Sequence, residues 1–326
     1  MTTARALIVP CNGDSSVLTV QDVEVPGPGP GEVQVEVAAV GVNFVDVYQR
    51  EGVYPIATPF VSCSEGAGTV TAVGPEVTDF AAGDRVAWGA GLGSAGTVVN
   101  RSTSDLVPVP DGLDLDVAAA AMLQGMTAHY LVNSTYAVGP GTAALVHAAA
   151  GGVGQLLVQM VTAKGGRVIA TAGSPDKLEI ARRLGATAVI DYSRVDDLAA
   201  AVREANGGSG VDVAYDGVGK ATFDASLASL RPRGMMVLFG AASGQVPPFD
   251  IQRLNQGGSL FLTRPTLGHY IATREELLER AGSVLGDLAA GRLHLEVGGR
   301  YPISDAARAY DDLEARRTTG KLLLVP

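Results

Sequence analysis

Cysteine is nearly absent: Cys11 and Cys63 stand far apart, with no C-x-x-C partner, in a chain of 326 residues. That scarcity excludes a disulfide framework and a structural zinc site of four cysteines, and it suits a reducing compartment. Positive charge is also short, since 24 Lys and Arg stand against 34 Asp and Glu for a net charge of -10. Such a balance argues against nucleic acid or an anionic membrane surface as a general partner. The densest basic cluster, Arg231-Pro232-Arg233-Gly234, reads as a solvated turn. Aromatic residues are few, at 5%, but hydrophobic residues reach 47% and charged ones only 18%, so disorder is excluded. A chain this long exceeds what one core usually holds, and two domains are expected.

A leader is not read either, because MTTARALIVP lacks a long apolar stretch followed by small cleavage residues; a cytoplasmic protein is expected. The one long uncharged run, residues 143–161, is interrupted by His147, Gln155 and Gln159 and by clustered glycines. With no aromatic or basic anchors beside it, it reads as a buried element rather than a membrane span.

What is present is a change of rhythm. In Glu32 to Val40, Val33, Val35 and Val37 alternate with Glu32, Gln34 and Glu36, the period of a half-buried strand. Similar runs at Val17 to Val25, Gly68 to Val73 and Arg85 to Trp88, separated by Gly and Pro turns, predict a mostly antiparallel, barrel-like domain. Beyond Asp111 a helical stretch leads into alternating strand and helix patterns. Strands are expected at Ala143 to Ala148, Arg167 to Ala172, Ala188 to Asp191, Val211 to Asp216, Met235 to Phe239 and Ser259 to Thr263. Six such strands predict an α/β, doubly wound parallel sheet. After Pro265 the pattern breaks again, with a helix over Arg274 to Leu288, a short strand near Leu293 to Val297 and a helix from Asp305. These pieces are too few for a third core and are expected to rejoin the first domain. The expected division is 1–124 with 266–326, and 125–265.

Ala149, Gly151 and Gly154 have the spacing of G-x-G-x-x-G, with alanine in the first place, after a strand and at the opening of a helix. There a small first residue permits the tight turn, Gly151 admits a pyrophosphate to the backbone, and Gly154 lets the helix lie close on the strand. The helix start, with Gly152 and Val153, aims N–H groups at the phosphates. An NAD site would place an acid at the end of the second strand, but Gly173 and Ser174 stand there, with Lys177 one turn on. Ser174 before Pro175 reads as a helix cap, Asp176 as a partner of the helix dipole, and Lys177 as a point charge for a 2′-phosphate. NADPH is therefore the expected coenzyme.

The stretches NFVDVYQREGVYP, SEGAGTVTAVG, AAAMLQGMTAHYL, VHAAAGGVG and SLFLTRPTLGHYI resemble the quinone oxidoreductase, or zeta-crystallin, branch of the medium-chain dehydrogenase/reductase superfamily, over nearly the whole length. The resemblance implies a Rossmann domain beside a GroES-like catalytic domain, and transfer of hydride or electrons from NADPH to a quinone in the interdomain cleft. Zinc alcohol dehydrogenases of this superfamily carry a cysteine near the position of Asn43, a histidine at Ser64, and a further cysteine near Gln124, while Val45 stands at their proton-relay hydroxyl. With none of these ligands present, no metal is expected, and an electron-poor conjugated acceptor such as a quinone or enone is the expected substrate.

Asn43, Tyr48 and Tyr54 are the expected acceptor-pocket residues, with amide and phenol donors for a developing oxyanion. Tyr48 equally suits a packed helix position and Tyr54 a turn. The resemblance extends the coenzyme contacts, in which Asn43 is also expected to share, to Thr127 and Tyr192, to Gly217 and Val218, and to Phe239, Gly240 and Ala241. It adds Leu262, Thr263 and Arg264, and Arg316 from the tail. His129, His147 and His269 lack ligand or triad spacing and read as structural, and Cys63 as a small buried residue. Competing readings are an enone or enoyl reductase and a non-catalytic NADPH-binding protein of crystallin-like or RNA-binding kind. A homodimer is expected, with the strand Met235 to Phe239 and the following SGQVPPFD offering a sheet edge.

Overall fold

The alternating valines of the first third fold into a long strand, Glu32–Val42, in which Val33, Val35 and Val37 are buried and Glu36 is exposed, while Gln34, expected on the open face, is buried with its amide donating to Pro26 O and Asn100 Oδ1. The computed structural model describes residues 1–326 and divides into two units, one of Met1–Met126 with Ile271–Pro326 and one of Thr127–Tyr270.

In the first unit Glu32–Val42 is the central strand of a seven-stranded sheet. Glu65–Val73 and Lys321–Val325 flank it, Arg85–Trp88 and Val107–Pro108 extend one side, Val297–Pro302 ends the other, and Val98–Ser102 pairs with it separately. All pairings are antiparallel except that of Val297–Pro302 with Lys321–Val325. A three-stranded antiparallel sheet of Thr19–Val25, Thr2–Val9 and Phe60–Val61 completes the strands. One apolar core includes Val35, Trp88, Val99, Tyr310 and Leu322, so residues from the tail and from the first hundred share it.

In the second unit the strands Ala143–Val146, Arg167–Ala172, Ala188–Asp191, Val211–Asp216, Leu230–Leu238 and Phe261–Thr263 form one parallel sheet. Numbered along the chain, their spatial order is 3-2-1-4-5-6, with the reversal between the first and fourth strands that defines a dinucleotide-binding crevice. Ala143–Val146 is buried on both faces, which explains its unbroken apolar run. The helix Gly152–Ala163 that follows is 12 residues long, and no helix is long and apolar enough to cross a membrane.

Three expectations are corrected. The strand expected near Leu293 to Val297 is Val297–Pro302, because Leu293 is buried and its N–H donates to Asp287 O, closing the preceding helix Arg274–Ala289. Arg231 to Gly234 is not a free turn: it lies in the irregular first half of Leu230–Leu238, where Arg231 Nε pairs with Asp212 at 2.5 Å. That strand is no sheet edge, being bonded on both sides; the edge is Phe261–Thr263, whose Phe261 is exposed.

Candidate functional site

The glycine loop is built from backbone. Ala149 N–H donates to Thr171 O on the second strand and Gly151 N–H to Ala148 O at 2.8 Å. The left-handed step falls on Ala148, with φ of 49°, one residue ahead of the small residue expected to make the turn. Gly151 is the helix cap, and Gly152 and Val153 begin the helix, where first-turn N–H groups have no intrahelical acceptor. A Cβ on Gly151 would stand 3.2 Å from Ala148 O, and one on Gly154 would stand 2.8 Å from Ala149 Cα. Gly154 is thus required by packing, and the loop leaves bare backbone at a helix N-terminus, a surface that fits a pyrophosphate.

At the end of the second strand the expected group is assembled. Ser174 caps the helix Pro175–Arg183, its Oγ accepting Lys177 N–H at 3.4 Å, and Lys177 is half-buried. Tyr192 N–H donates to Ala172 O at 3.2 Å, and its hydroxyl lies so close that a Cβ on Gly173 would be 2.5 Å from it. Gly173, Ser174, Lys177 and Tyr192 therefore share one end of the sheet, while Asp176 is exposed in the first helical turn.

Asp216, which sequence reasoning missed, orders the next strand end. Its buried carboxylate accepts from the N–H groups of Val218 at 2.8 Å and Gly219 at 2.9 Å, and from the hydroxyls of Thr222 and Ser226, each at 2.7 Å. The signal was an acid closing a strand directly before Gly-Val-Gly. Phe239 packs on Gly217, where a Cβ would meet its ring at 2.8 Å, and a Cβ on Gly240 would lie 2.5 Å from Gly217 O. Val218, Ala241, Leu262 and Thr263 are half-buried at the same strand ends, and Arg264 is exposed. Thr127 is buried in the helix Leu115–Tyr130, and Arg316, with a φ of 57°, lies exposed in the first unit.

His147 joins this network from inside. Because Ser226 donates to Asp216, Nε2–H of His147 donates to Ser226 Oγ at 2.9 Å, and Nδ1 accepts from Thr171 at 2.8 Å. Burial holds the imidazole below its ordinary pKa, so it is neutral. It is a structural histidine; His129 is half-buried and His269 is exposed.

In the first unit Asn43 begins the helix Phe44–Arg50, its N–H donating to Asp46 Oδ2 at 2.7 Å. Its side-chain amide donates to Glu65 Oε2 at 2.8 Å and Gly41 O at 3.4 Å, while Oδ1 accepts from Gln124 at 3.2 Å and Lys321 at 2.6 Å. Lys321 Nζ also bonds Glu65 Oε2, and Glu65 Oε1 accepts Leu123 N–H at 2.6 Å. Glu65 and Lys321, both fully buried, were not singled out from sequence. Tyr48 is half-buried and Tyr54 exposed, with their rings edge to face at 5.4 Å and Tyr54 N–H donating to Tyr48 O. Cys63 is buried beside Tyr310 at 3.4 Å, and burial pushes its thiol far above the ordinary range, which makes it inert.

Residues 29–141 match the alcohol dehydrogenase GroES-like domain family and residues 152–281 the zinc-binding dehydrogenase family. A quinone oxidoreductase of Pseudomonas aeruginosa is 45% identical, covering 99% of this chain and 100% of the relative. A 2-haloacrylate reductase of Burkholderia sp. is 41% identical, covering 98% of both. The crystal structure of Escherichia coli quinone oxidoreductase complexed with NADPH is 39% identical, covers 99% of this chain and 100% of that one, and superposes with a TM-score of 0.95. The chain belongs to the quinone oxidoreductase branch of the medium-chain dehydrogenase/reductase superfamily.

The second family's description raises zinc, and the donor set does not fit it. Asn43 and Gln124 offer amides and Ser64 a hydroxyl, where zinc takes thiolate, imidazole or carboxylate. The nearby Glu65 carboxylate already holds an ammonium, and no three His, Cys, Asp or Glu side chains converge elsewhere.

Proposed function

We propose that the chain is an NADPH-dependent quinone oxidoreductase. The observation that carries this reading is the second unit's set of strand ends: a bare glycine loop at a helix N-terminus, with Ser174 and Lys177 where an NAD site would place an acid. The kinship with quinone oxidoreductases, and a structural neighbour complexed with NADPH, support it.

Ala149, Gly151, Gly152, Val153 and Gly154 would receive the pyrophosphate, and Gly173, Ser174, Lys177 and Tyr192 the phosphorylated adenosine end. Thr127, Gly217, Val218, Phe239, Gly240, Ala241, Leu262, Thr263 and Arg264 would line the rest of the coenzyme path. Bound NADPH supplies a hydride. A conjugated acceptor disperses the incoming charge itself, so the chain's task is to orient it and to donate hydrogen bonds, a role assigned to the Tyr48 and Tyr54 phenols beside Asn43. The amide nitrogen of Asn43 donates to Glu65 and Gly41.

On the same reading, 1–124 with 266–326 is the catalytic domain and 125–265 the coenzyme domain. The protein works in the cytoplasm, and as a homodimer through the Phe261–Thr263 edge. A second reading, reduction of an activated carbon–carbon double bond, is favoured by the kinship with a 2-haloacrylate reductase. Oxidation of NADPH followed with 1,4-benzoquinone, 9,10-phenanthrenequinone, 2-chloroacrylate or no acceptor separates the two. Turnover with the quinones is expected, and turnover with the acrylate alone would overturn the quinone reading.

A further inference from the structure

Two members of the buried cluster around Asn43, Glu65 and Lys321, have no part in the coenzyme reading, and three strands bring them together. Gly41, near the end of Glu32–Val42, pairs with Glu65 on one side and Leu323 on the other. Side chains alternate along a strand, so Lys321, two residues before Leu323, projects from the same face as Glu65 and Gly41. The ammonium and carboxylate therefore meet over Gly41, both fully buried. Glycine is what permits this: a Cβ on Gly41 would lie 2.8 Å from Lys321 Cε and closer still to Glu65 Oε2.

Asn43 sits between the two charges, with its oxygen on the Lys321 ammonium and its nitrogen on the Glu65 carboxylate. A carboxamide is almost symmetric in shape, so its partners alone decide which end is which. Opposite charges decide it electrostatically. Asn43 also begins the helix Phe44–Arg50, which carries Tyr48, and Tyr48 O holds Tyr54 N–H. The ion pair is thus linked to Tyr48 through the helix backbone, and to Tyr54 through one backbone hydrogen bond.

We propose that Lys321 and Glu65 are positioning residues for acceptor reduction: their ion pair over Gly41 fixes the Asn43 amide and, through it, the start of the helix that presents Tyr48 and Tyr54. This rests on the quinone reductase reading. Neither side chain is exposed, so both act through Asn43. Replacing both charges by neutral groups of similar shape often leaves stability unchanged, so a merely structural pair would leave kcat unchanged as well.

The test uses the full-length protein with Lys321→Met and Glu65→Gln combined. Thermal unfolding is expected to stay near wild type. The kcat for 1,4-benzoquinone is expected to fall about tenfold or more, as loss of orientation alone can do. The Asn43 side-chain amide signals in 1H–15N NMR are expected to shift. Asn43→Ala should lower kcat similarly, and adding it to the double variant should cost nothing further, since all three act as one unit. Wild-type kcat in the double variant, unmoved Asn43 signals, or fully additive losses would overturn the proposal. If the double variant does not fold, Lys321→Arg, which keeps the charge but not its point geometry, carries the same kcat test. If the wild type reduces no quinone, the functional reading fails, and the NMR signals still decide whether the ion pair fixes Asn43.

Discussion

Asp46→Asn should make the protein more stable at mildly alkaline pH. Asp46 is fully buried on the helix Phe44–Arg50, and burial pushes its carboxyl from 3.8 up to about 7. The Asn43 N–H and the Lys321 charge oppose the rise, and the Glu65 charge adds to it; Cys63 and Tyr310 also lie within the field of this carboxyl. Oδ1 has no hydrogen-bond partner, and neither has Gln49 Oε1 three residues on, so ionisation would leave a buried charge poorly solvated. Because the folded value lies above the unfolded one, this group's contribution is whole below pH 3.8 and is lost as pH rises through about 7. At about 1.4 kcal/mol per pH unit inside that window, the wild type loses about 3 kcal/mol between about pH 5 and about pH 8 that an uncharged amide would not lose. An amide has the shape and neutrality of the protonated acid and still accepts the Asn43 N–H. Denaturant unfolding of both proteins at the two pH values measures the difference. Parallel stability profiles would refute the reasoning.

Three further substitutions address the coenzyme end. Lys177→Ala should weaken NADPH by about tenfold or more while leaving NADH nearly unchanged, read by calorimetry with each nucleotide; equal losses would remove the 2′-phosphate assignment. Gly154→Ala forces a Cβ against Ala148 and Ala149, so it should destabilise the fold by about 1–3 kcal/mol and reduce NADPH affinity, measured by thermal shift with and without the nucleotide. Asp216→Asn cannot accept four hydrogen bonds as the carboxylate does, and the loop 217–219 should lose protection in hydrogen exchange along with NADPH affinity.

The parallel sheet was legible because its central strands, Ala143–Val146, Arg167–Ala172 and Val211–Asp216, are short, local and largely buried runs. The glycine loop and the Ser174 cap were legible for the same reason: a few neighbouring residues determine them. The ion pair was not. Lys321 and Glu65 are 256 residues apart and meet only because Glu32–Val42 pairs with both their strands, a register no local pattern encodes. In sequence Lys321 merely opens an apolar tail, and Glu65 merely follows Ser64 at the head of a glycine-rich run. Asn43 was found but its bonding was not, since a sequence does not say that both amide hydrogens are already spent inside the protein. The sheet edge was misplaced because Phe261–Thr263 is only three residues long, and pairing with it buries the strand taken for the edge.

The most direct test is titration of NADPH into the protein by isothermal calorimetry, with NADH in parallel. One NADPH per chain at micromolar affinity or tighter, with NADH at least about tenfold weaker, is expected. No heat with NADPH, or equal affinity for the two nucleotides, would contradict a glycine loop and Lys177 built to hold a phosphorylated coenzyme.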